Sequence, residues 1–393
     1  MSTIKIETLT AAHIGSGETL HYGTDFLRGE HEGRSILSIV DLKKVMELIK
    51  PENVQDWVAA IEDGESTDVV VQRYEPNATM ADYSKRMILD CANDKESDSL
   101  KTQIHDGFGR PYIPGSSIKG AIRTAIVATL AERIDQIEEK IDKTKRDFQG
   151  NPIPDKKGKI QLKANAQKIE AELFGFNPKM ENVDPNKDIF RFLQVGDAYF
   201  EGLSEVAIKL VNVNERKKQG FWDESKSQLI EAISPEDEAE FQLKLNCAGY
   251  NFSRNKVNPL PDCMSSIPKL FKTINAHTQK LLRDEIEYWK ERKSDNDSNK
   301  VSVYIEKISN VLSIVEKCVE EKECVLRIGQ GSGWRFITGA WTEDLENFDD
   351  LVVPLSRRDN YKYIGYDFPK TRRVDDQCEL LGFVKLSIKE ETI

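Results

Sequence analysis

No run of apolar residues in this 393-residue chain approaches the roughly 20 that a membrane-crossing helix requires. The opening Met1-Ser2-Thr3-Ile4-Lys5-Ile6-Glu7 also lacks the apolar core of a signal peptide, so the chain reads as cytoplasmic. The six cysteines (Cys91, Cys247, Cys263, Cys318, Cys324, Cys378) include no Cys-x-x-Cys pair and have no histidine nearby at ligand spacing. Neither a zinc site nor a disulfide framework is indicated, reduced thiols fit the cytosol, and no metal is expected. Gly-Lys-Ser/Thr does not follow the glycines at 329, 331 and 333, so they form no nucleotide P-loop, and the acid and helix of a dinucleotide fingerprint are missing too. No cofactor is expected. A net charge of −11 argues against nucleic-acid binding over the whole surface.

What is present is local. In Arg110-Pro111-Tyr112-Ile113-Pro114-Gly115-Ser116-Ser117-Ile118-Lys119-Gly120-Ala121-Ile122-Arg123, Pro114 ends an extended segment and Gly115 permits a tight turn. Ser116 or Ser117 can cap the helix announced by Ile118, Ile122, Ala125, Ile126 and Leu130. Its first turn offers unpaired N–H groups and two hydroxyls, and Lys119 and Arg123 share a face with no acid between Gly107 and Leu130. Such a helix start suits an anion, although an ordinary capped helix with two solvated cations fits equally well. Gly329, Gly331 and Gly333, flanked by Arg327 and Arg335, let backbone N–H groups approach a phosphate. Between Leu351 and Arg373 six basic residues (Arg357, Arg358, Lys362, Lys370, Arg372, Arg373) stand against Asp359 and Asp367, so a basic groove on an acidic body is plausible. Trp334, Phe336 and Trp341 are candidates for stacking on bases as well as for the core, and Tyr361, Tyr363 and Tyr366 alternate with basic residues.

The rest reads as α+β. Ser2 to Leu9 alternates as a half-buried strand, a glycine-rich flexible loop carries His13, His21, Tyr22, Asp25 and Arg28, and Ser35 to Val40 precedes a helix from Leu42 to Ile49. The helix at Ser116 is expected to run to about Asp142, followed by a loop or hairpin and a short helix from Ala164 to Phe174. Ile189 to Phe200 and Val206 to Val213 are strand candidates, and Gln228 to Ile233 is expected to pair with Phe241 to Leu245 across Ser234-Pro235-Glu236-Asp237. Amphipathic helices cover Ile267 to Glu291 and Val301 to Glu321, then Cys324 to Ile328 feeds the glycine-rich loop and Leu380 to Ile388 closes the chain.

Ile113-Pro114-Gly115-Ser116-Ser117-Ile118-Lys119-Gly120-Ala121-Ile122-Arg123 closely resembles the signature helix start of the RAMP superfamily, the repeat-associated proteins of type III CRISPR effector complexes. His13-Ile14-Gly15-Ser16-Gly17-Glu18 is similar to the loop after the first RAMP strand, and Ile328-Gly329-Gln330-Gly331-Ser332-Gly333-Trp334 to the superfamily's glycine-rich loop. Phe368-Pro369-Lys370-Thr371-Arg372-Arg373 and Leu381-Gly382-Phe383-Val384-Lys385-Leu386 resemble the closing segments of the large subunit that caps the guide RNA 3′ end in the type III-A (Csm) complex. The resemblance implies two ferredoxin-like (RRM-like) modules with insertions, residues 1–200 and 201–393. It implies a non-catalytic subunit that binds the 3′ region of CRISPR RNA, supports its maturation, meets target RNA, and packs on the neighbouring backbone subunit of the effector. The implied RNA ligands are Ser116, Ser117, Lys119, Arg123, Arg327, Gly329, Gly331, Gly333, Trp334, Arg335, Lys370, Arg372 and Arg373. Two alternatives stand beside it: a RAMP endoribonuclease acting on guide precursor or target RNA, with Asp25 or His13 as the reacting group, and a structural subunit of another type III complex.

Overall fold

The computed structural model describes residues 1–92, 97–131, 134, 142–144, 147, 149, 151–154, 158, 162–165, 167–177, 184–201, 204–216, 220–254, 256–291, 298–337, 339–346 and 371–389. Strand β1 (Ser2–Thr8) turns Ile4, Ile6 and Thr8 inward, as the alternation requires. Then come β2 (Gly15–His21), β3 (Phe26–His31), β4 (Arg34–Val40), α1 (Leu42–Ile49), α2 (Val54–Glu62), α3 (Thr67–Tyr74), β5 (Ser84–Asp90), β6 (Ser99–Gln103), β7 (Tyr112–Ile113) and α4 (Gly115–Ala131). A hairpin of β8 (Asp142–Thr144) and β9 (Leu162–Asn165) precedes α5 (Gln167–Phe174), β10 (Leu193–Val195) and β11 (Ala198–Tyr199). The remainder supplies β12 (Glu205–Arg216), β13 (Gly220–Ile233), β14 (Glu238–Leu245), α6 (Cys247–Phe252), α7 (Ile267–Glu291), α8 (Ser298–Lys317), β15 (Glu323–Arg327), β16 (Thr371–Asp375) and β17 (Phe383–Ile388). None of the described helices is long and apolar enough to cross a membrane.

Two large sheets organise these elements. One is antiparallel with strand order β10-β14-β1-β17-β15. The other runs β2-β6-β13-β12-β5-β4-β3, with β16 added to β12 beyond the short parallel contact that β12 makes with β5. Both sheets take strands from either side of residue 200, so that position does not separate one hydrogen-bonded sheet from the other. The main core lies where Ile4, Ile6, Phe241, Leu243, Val384 and Leu386 of the first sheet meet Ile118, Ile122 and Ile126 of α4 and Leu270, Phe271 and Ile274 of α7. A second core joins the far half of α7 to α8 through Ile286, Trp289, Tyr304 and Ile308, and a third lies under α1, α2 and α3 around Val45, Trp57 and Val70.

Several expectations are corrected. The segment after β1 is not a flexible loop, because Gly15–His21 is a strand paired with β6. The helix expected to reach Asp142 ends at Ala131, and Asp142 begins the hairpin strand β8. Ile189–Phe192 is a 3-10 turn leading into the short β10 and β11 rather than part of one strand. The strands at 228–233 and 241–245 do not pair, since β13 pairs β12 and β6 while β14 pairs β1 and β10. The buried Thr8 explains this. Its hydroxyl donates to the Ser234 carbonyl at 2.6 Å and accepts from Asp237 N at 3.0 Å, pinning the 234–237 corner so that it carries the chain from one sheet to the other.

Candidate nucleic-acid interface

Helix α4 begins at Gly115, so Ser116 and Ser117, expected to cap it, lie within its first turn, where Ser117 N and Ile118 N donate to the Pro114 carbonyl; the reason Gly115 stands there is crowding. A methyl group at that position would overlap the carbonyl oxygens of Val195 and Gly196. The Gly115 N–H donates to Asp197 Oδ1 at 2.7 Å, so a carboxylate already satisfies one of the free donors of the helix start. Ser116 is exposed, and Ser117 and Lys119 are half-buried. Lys119 has no ion pair among the described residues. Burial lowers its pKa, with Asp188 acting in the opposite direction and Arg123 adding to the fall. Arg123 is differently employed: its guanidinium binds Glu170 at 2.9 Å and Asp188 at 3.1 Å, over the rings of Phe174 and Phe190.

The glycine-rich loop leans on the first segment of the chain. Gly329, Gly331 and Gly333 all have positive φ, at 77°, 89° and 78°. A methyl at Gly329 would overlap the His13 carbonyl oxygen, which also accepts from Gln330 N at 2.9 Å, and one at Gly331 would lie 3.2 Å from Leu381 Cδ1. At Gly333 the space is open within 4 Å. Arg327 braces the loop, donating to the Leu381 carbonyl at 2.9 Å and that of Gly331 at 3.3 Å between the rings of Phe336 and Phe383. Burial depresses its pKa to about 10. Trp334 is half-buried against the main core and Trp341 is buried in it.

Arg335 and Arg372 converge on one buried carboxylate. Glu285 accepts from Arg335 at 2.7 Å, from Arg372 through Nε to Oε1 and at 3.0 Å to Oε2, from Trp289 Nε1 at 2.9 Å and from the Tyr304 hydroxyl at 3.0 Å. Glu343 takes the outer edge of Arg335 at 2.7 and 3.0 Å. Despite burial, the two guanidiniums hold the Glu285 carboxyl at about 2. Thus Arg123, Arg327, Arg335 and Arg372, expected as RNA ligands, are committed to acceptors of the same chain. Half-buried or buried guanidiniums are costly unless their donors are met, and nearby carboxylates and carbonyls meet them. Arg373 is half-buried opposite Asn212 in the ladder, and burial lowers its pKa. Lys370, with Arg357, Arg358, Lys362 and the three tyrosines, lies outside the described residues.

The residues considered for catalysis are separated. His13 is fully buried, its Nδ1 on the Glu231 carbonyl and its pKa lowered by burial, so it presents no group to a substrate. Asp25 Oδ2 accepts from His21 N at 2.9 Å, closing a turn. Sequence reasoning missed a polar cluster beside the 580 Å³ groove that Asp25, Lys85 and His105 line. There His105 Nε2 meets Glu205 Oε1 at 2.8 Å, and Arg86 binds Glu231 at 2.5 Å and stands 3.8 Å from Glu205. The ligand atoms of His105, Glu205 and Glu231 lie within 4.8 Å of one another, but the Arg86 guanidinium already supplies their positive charge. Glu285 had a visible signal, being an acid on the apolar stripe of α7, whereas the His105 cluster is assembled from distant strands and had none.

The family model of the RAMP superfamily matches residues 5–365. The chain belongs to the RAMP superfamily. Its RAMP fold is similar to that of a chain in the cryo-EM structure of a Csm–crRNA–target RNA ternary complex of a type III-A CRISPR-Cas system. That match has a TM-score of 0.67 and 18% identity, covering 99% of this chain and 100% of the other. It is also similar to the crystal structure of T. onnurineus Csm5, with a TM-score of 0.62 and 16% identity over 97% of this chain and 99% of that one. No curated protein sequence matches the chain.

Proposed function

We propose that this RAMP protein is the crRNA-binding subunit of a type III-A effector that caps the crRNA 3′ region. In this reading it acts in the cytoplasm, contacts the backbone subunit, meets target RNA, supports crRNA maturation and catalyses no reaction itself. The observation that carries the reading is the end-to-end match in fold to a chain of a Csm–crRNA–target RNA complex, on a chain that the RAMP family model spans. The α4 start supports it locally, with exposed Ser116 and an unpaired Lys119 among the described residues. Phosphate contacts position a strand without reading its bases.

Filter binding of guide RNA and of guide lacking its 3′ segment tests this. Binding is expected to require the 3′ segment. Lys119→Ala is expected to weaken binding similarly for all sequences and to reduce the slope of log affinity against log salt by roughly 0.7. Asp197→Asn keeps an acceptor for Gly115 N–H while removing a negative charge beside the helix start, and is expected to tighten binding. Equal affinity for both RNAs would refute the capping role. Cleavage of guide precursor or target that disappears in Asp25→Ala would instead make the protein an endoribonuclease.

A further inference from the structure

The turn just ahead of the α4 motif displays an aromatic ring to solvent by construction. Phe108 is 90% exposed. It is held there rather than left loose: Asp106 Oδ1 accepts from both Phe108 N and Arg110 N at 2.9 Å, Gly109 N donates to the Asp106 carbonyl at 3.0 Å, and Gly109 adopts φ 81°. The Arg110 guanidinium is fixed by Asp106 Oδ2 at 2.9 Å and lies 5.9 Å from the centre of the Phe108 ring and 5.0 Å from that of Tyr199. Tyr199 stacks on Tyr112 at 5.3 Å with 26° between the planes, because the two are directly opposite in the β7–β11 ladder. Asp197 links this array to the helix start: it receives the Tyr199 hydroxyl at 3.3 Å and the Gly115 N–H at 2.7 Å.

We infer that Phe108, Arg110, Tyr112 and Tyr199 form a base-stacking platform for single-stranded RNA, placed to receive bases of the strand whose phosphate lies at the α4 start. This rests on the RNA-binding reading above and names the form of RNA that the same site takes. Three features select that occupant. An exposed ring next to a guanidinium plane matches the faces of unpaired bases, which a duplex hides. The carboxylates of the array, Asp106 and Asp197, are taken up by Arg110, the Tyr199 hydroxyl and backbone N–H groups, while Lys119 has no ion pair among the described residues. The platform is also continuous in chain and in hydrogen bonding with the anion-suited helix start.

The test uses the full chain with short single-stranded oligoadenylate, the corresponding duplex, and single strands carrying 5-iodouridine. Phe108→Ala and Tyr199→Ala are each expected to weaken single-strand binding by roughly five- to one-hundred-fold with an unchanged salt slope, since a lost stack releases no counterion. Phe108→Trp should retain binding, and the melting temperature of Phe108→Ala should stay at that of the parent. Irradiation should crosslink the iodinated strand to Phe108 or Tyr199, and the single strand should be preferred to the duplex. If RNA binds with a Lys119-dependent salt slope but Phe108→Ala and Tyr199→Ala are neutral and crosslinks fall elsewhere, the platform is wrong and the RNA-binding reading survives. If the parent protein binds no RNA, both fail. Phe108→Ala that keeps RNA affinity but loses a protein partner would make the ring a protein contact and overturn the platform.

Discussion

Glu285 shows how far one residue can organise others. It is a carboxylate inside an apolar stripe, between Leu282 and Ile286, and it persists there because two guanidiniums, an indole N–H and a phenol converge on it. Glu285→Gln keeps the volume but removes the buried charge that Arg335 and Arg372 share, leaving Glu343 on the outer edge of Arg335. The expected loss is about 3–5 kcal/mol, read as a lower urea midpoint, because uncompensated buried charge costs more than the pair contributes. The pH dependence has a definite sign. The folded-state carboxyl sits at about 2 against an ordinary 4.5, so its contribution is complete above about pH 4.5 and is lost as pH falls toward 2. His277 acts in a higher window: burial lowers it from 6.5 to about 4, so the stability tied to its neutral form is complete above 6.5 and declines as pH falls toward 4. Urea midpoints should therefore decline as pH falls below about 6.5, where His13 and His277 both begin to charge, and decline further below about 4.5, and Glu285→Gln should make the lower decline shallower.

At the scale of the element, the glycine-rich loop decides between support and ligand approach, and its three glycines answer differently. Gly329→Ala would drive a methyl into the His13 carbonyl while the backbone stays at positive φ, so thermal melts should show severe destabilisation of the free protein. Gly333→Ala meets open space but must hold φ 78° with ψ 171°, a region kept almost entirely by glycine, at a cost of about 1–3 kcal/mol. If phosphate approaches this loop, Gly333→Ala should lose guide affinity per folded molecule, beyond what its lower melting temperature accounts for. Unchanged affinity would leave the loop as a brace for His13. Strand β2 teaches a related lesson. Six of its seven residues are exposed, so no alternation of apolar and polar side chains marks it, and glycines at both ends of Gly15-Ser16-Gly17 read as loop. Its pairing with β6 makes it a strand.

Across the whole molecule the chain folds back on itself. β1 is hydrogen-bonded between β14 and β17, so a strand from residues 2–8 is completed by partners at 238–243 and 384–388. Residues 1–200 and 201–393 expressed separately are therefore expected to lack a cooperative thermal transition, and mixing them should restore one if the strands can reassemble. A sharp independent melt from either fragment would establish residue 200 as a domain limit. The same interleaving places α4, from the first half, on a core to which both halves contribute, which ties the candidate RNA site to the integrity of both.

Local pattern was enough for the elements that depend on it: the alternation of β1, the Pro114-Gly115 break and apolar spacing that start α4, and the stripe that sets α7 at Ile267–Glu291. It also carried the RAMP resemblance, because that motif needs glycine, proline and small polar residues in fixed order where backbone is tightly turned. Tertiary structure decided the partners. Whether Arg123 or Arg372 faces a ligand depends on carboxylates 47 and 87 residues away, and periodicity contains nothing about such distances. Likewise β13 and β14 are adjacent in sequence yet lie in different sheets, because a buried Thr8 hydroxyl from the start of the chain holds the corner between them. Local propensity sets which segments become strands and helices, while desolvation settles which charges are paired and which remain for a ligand.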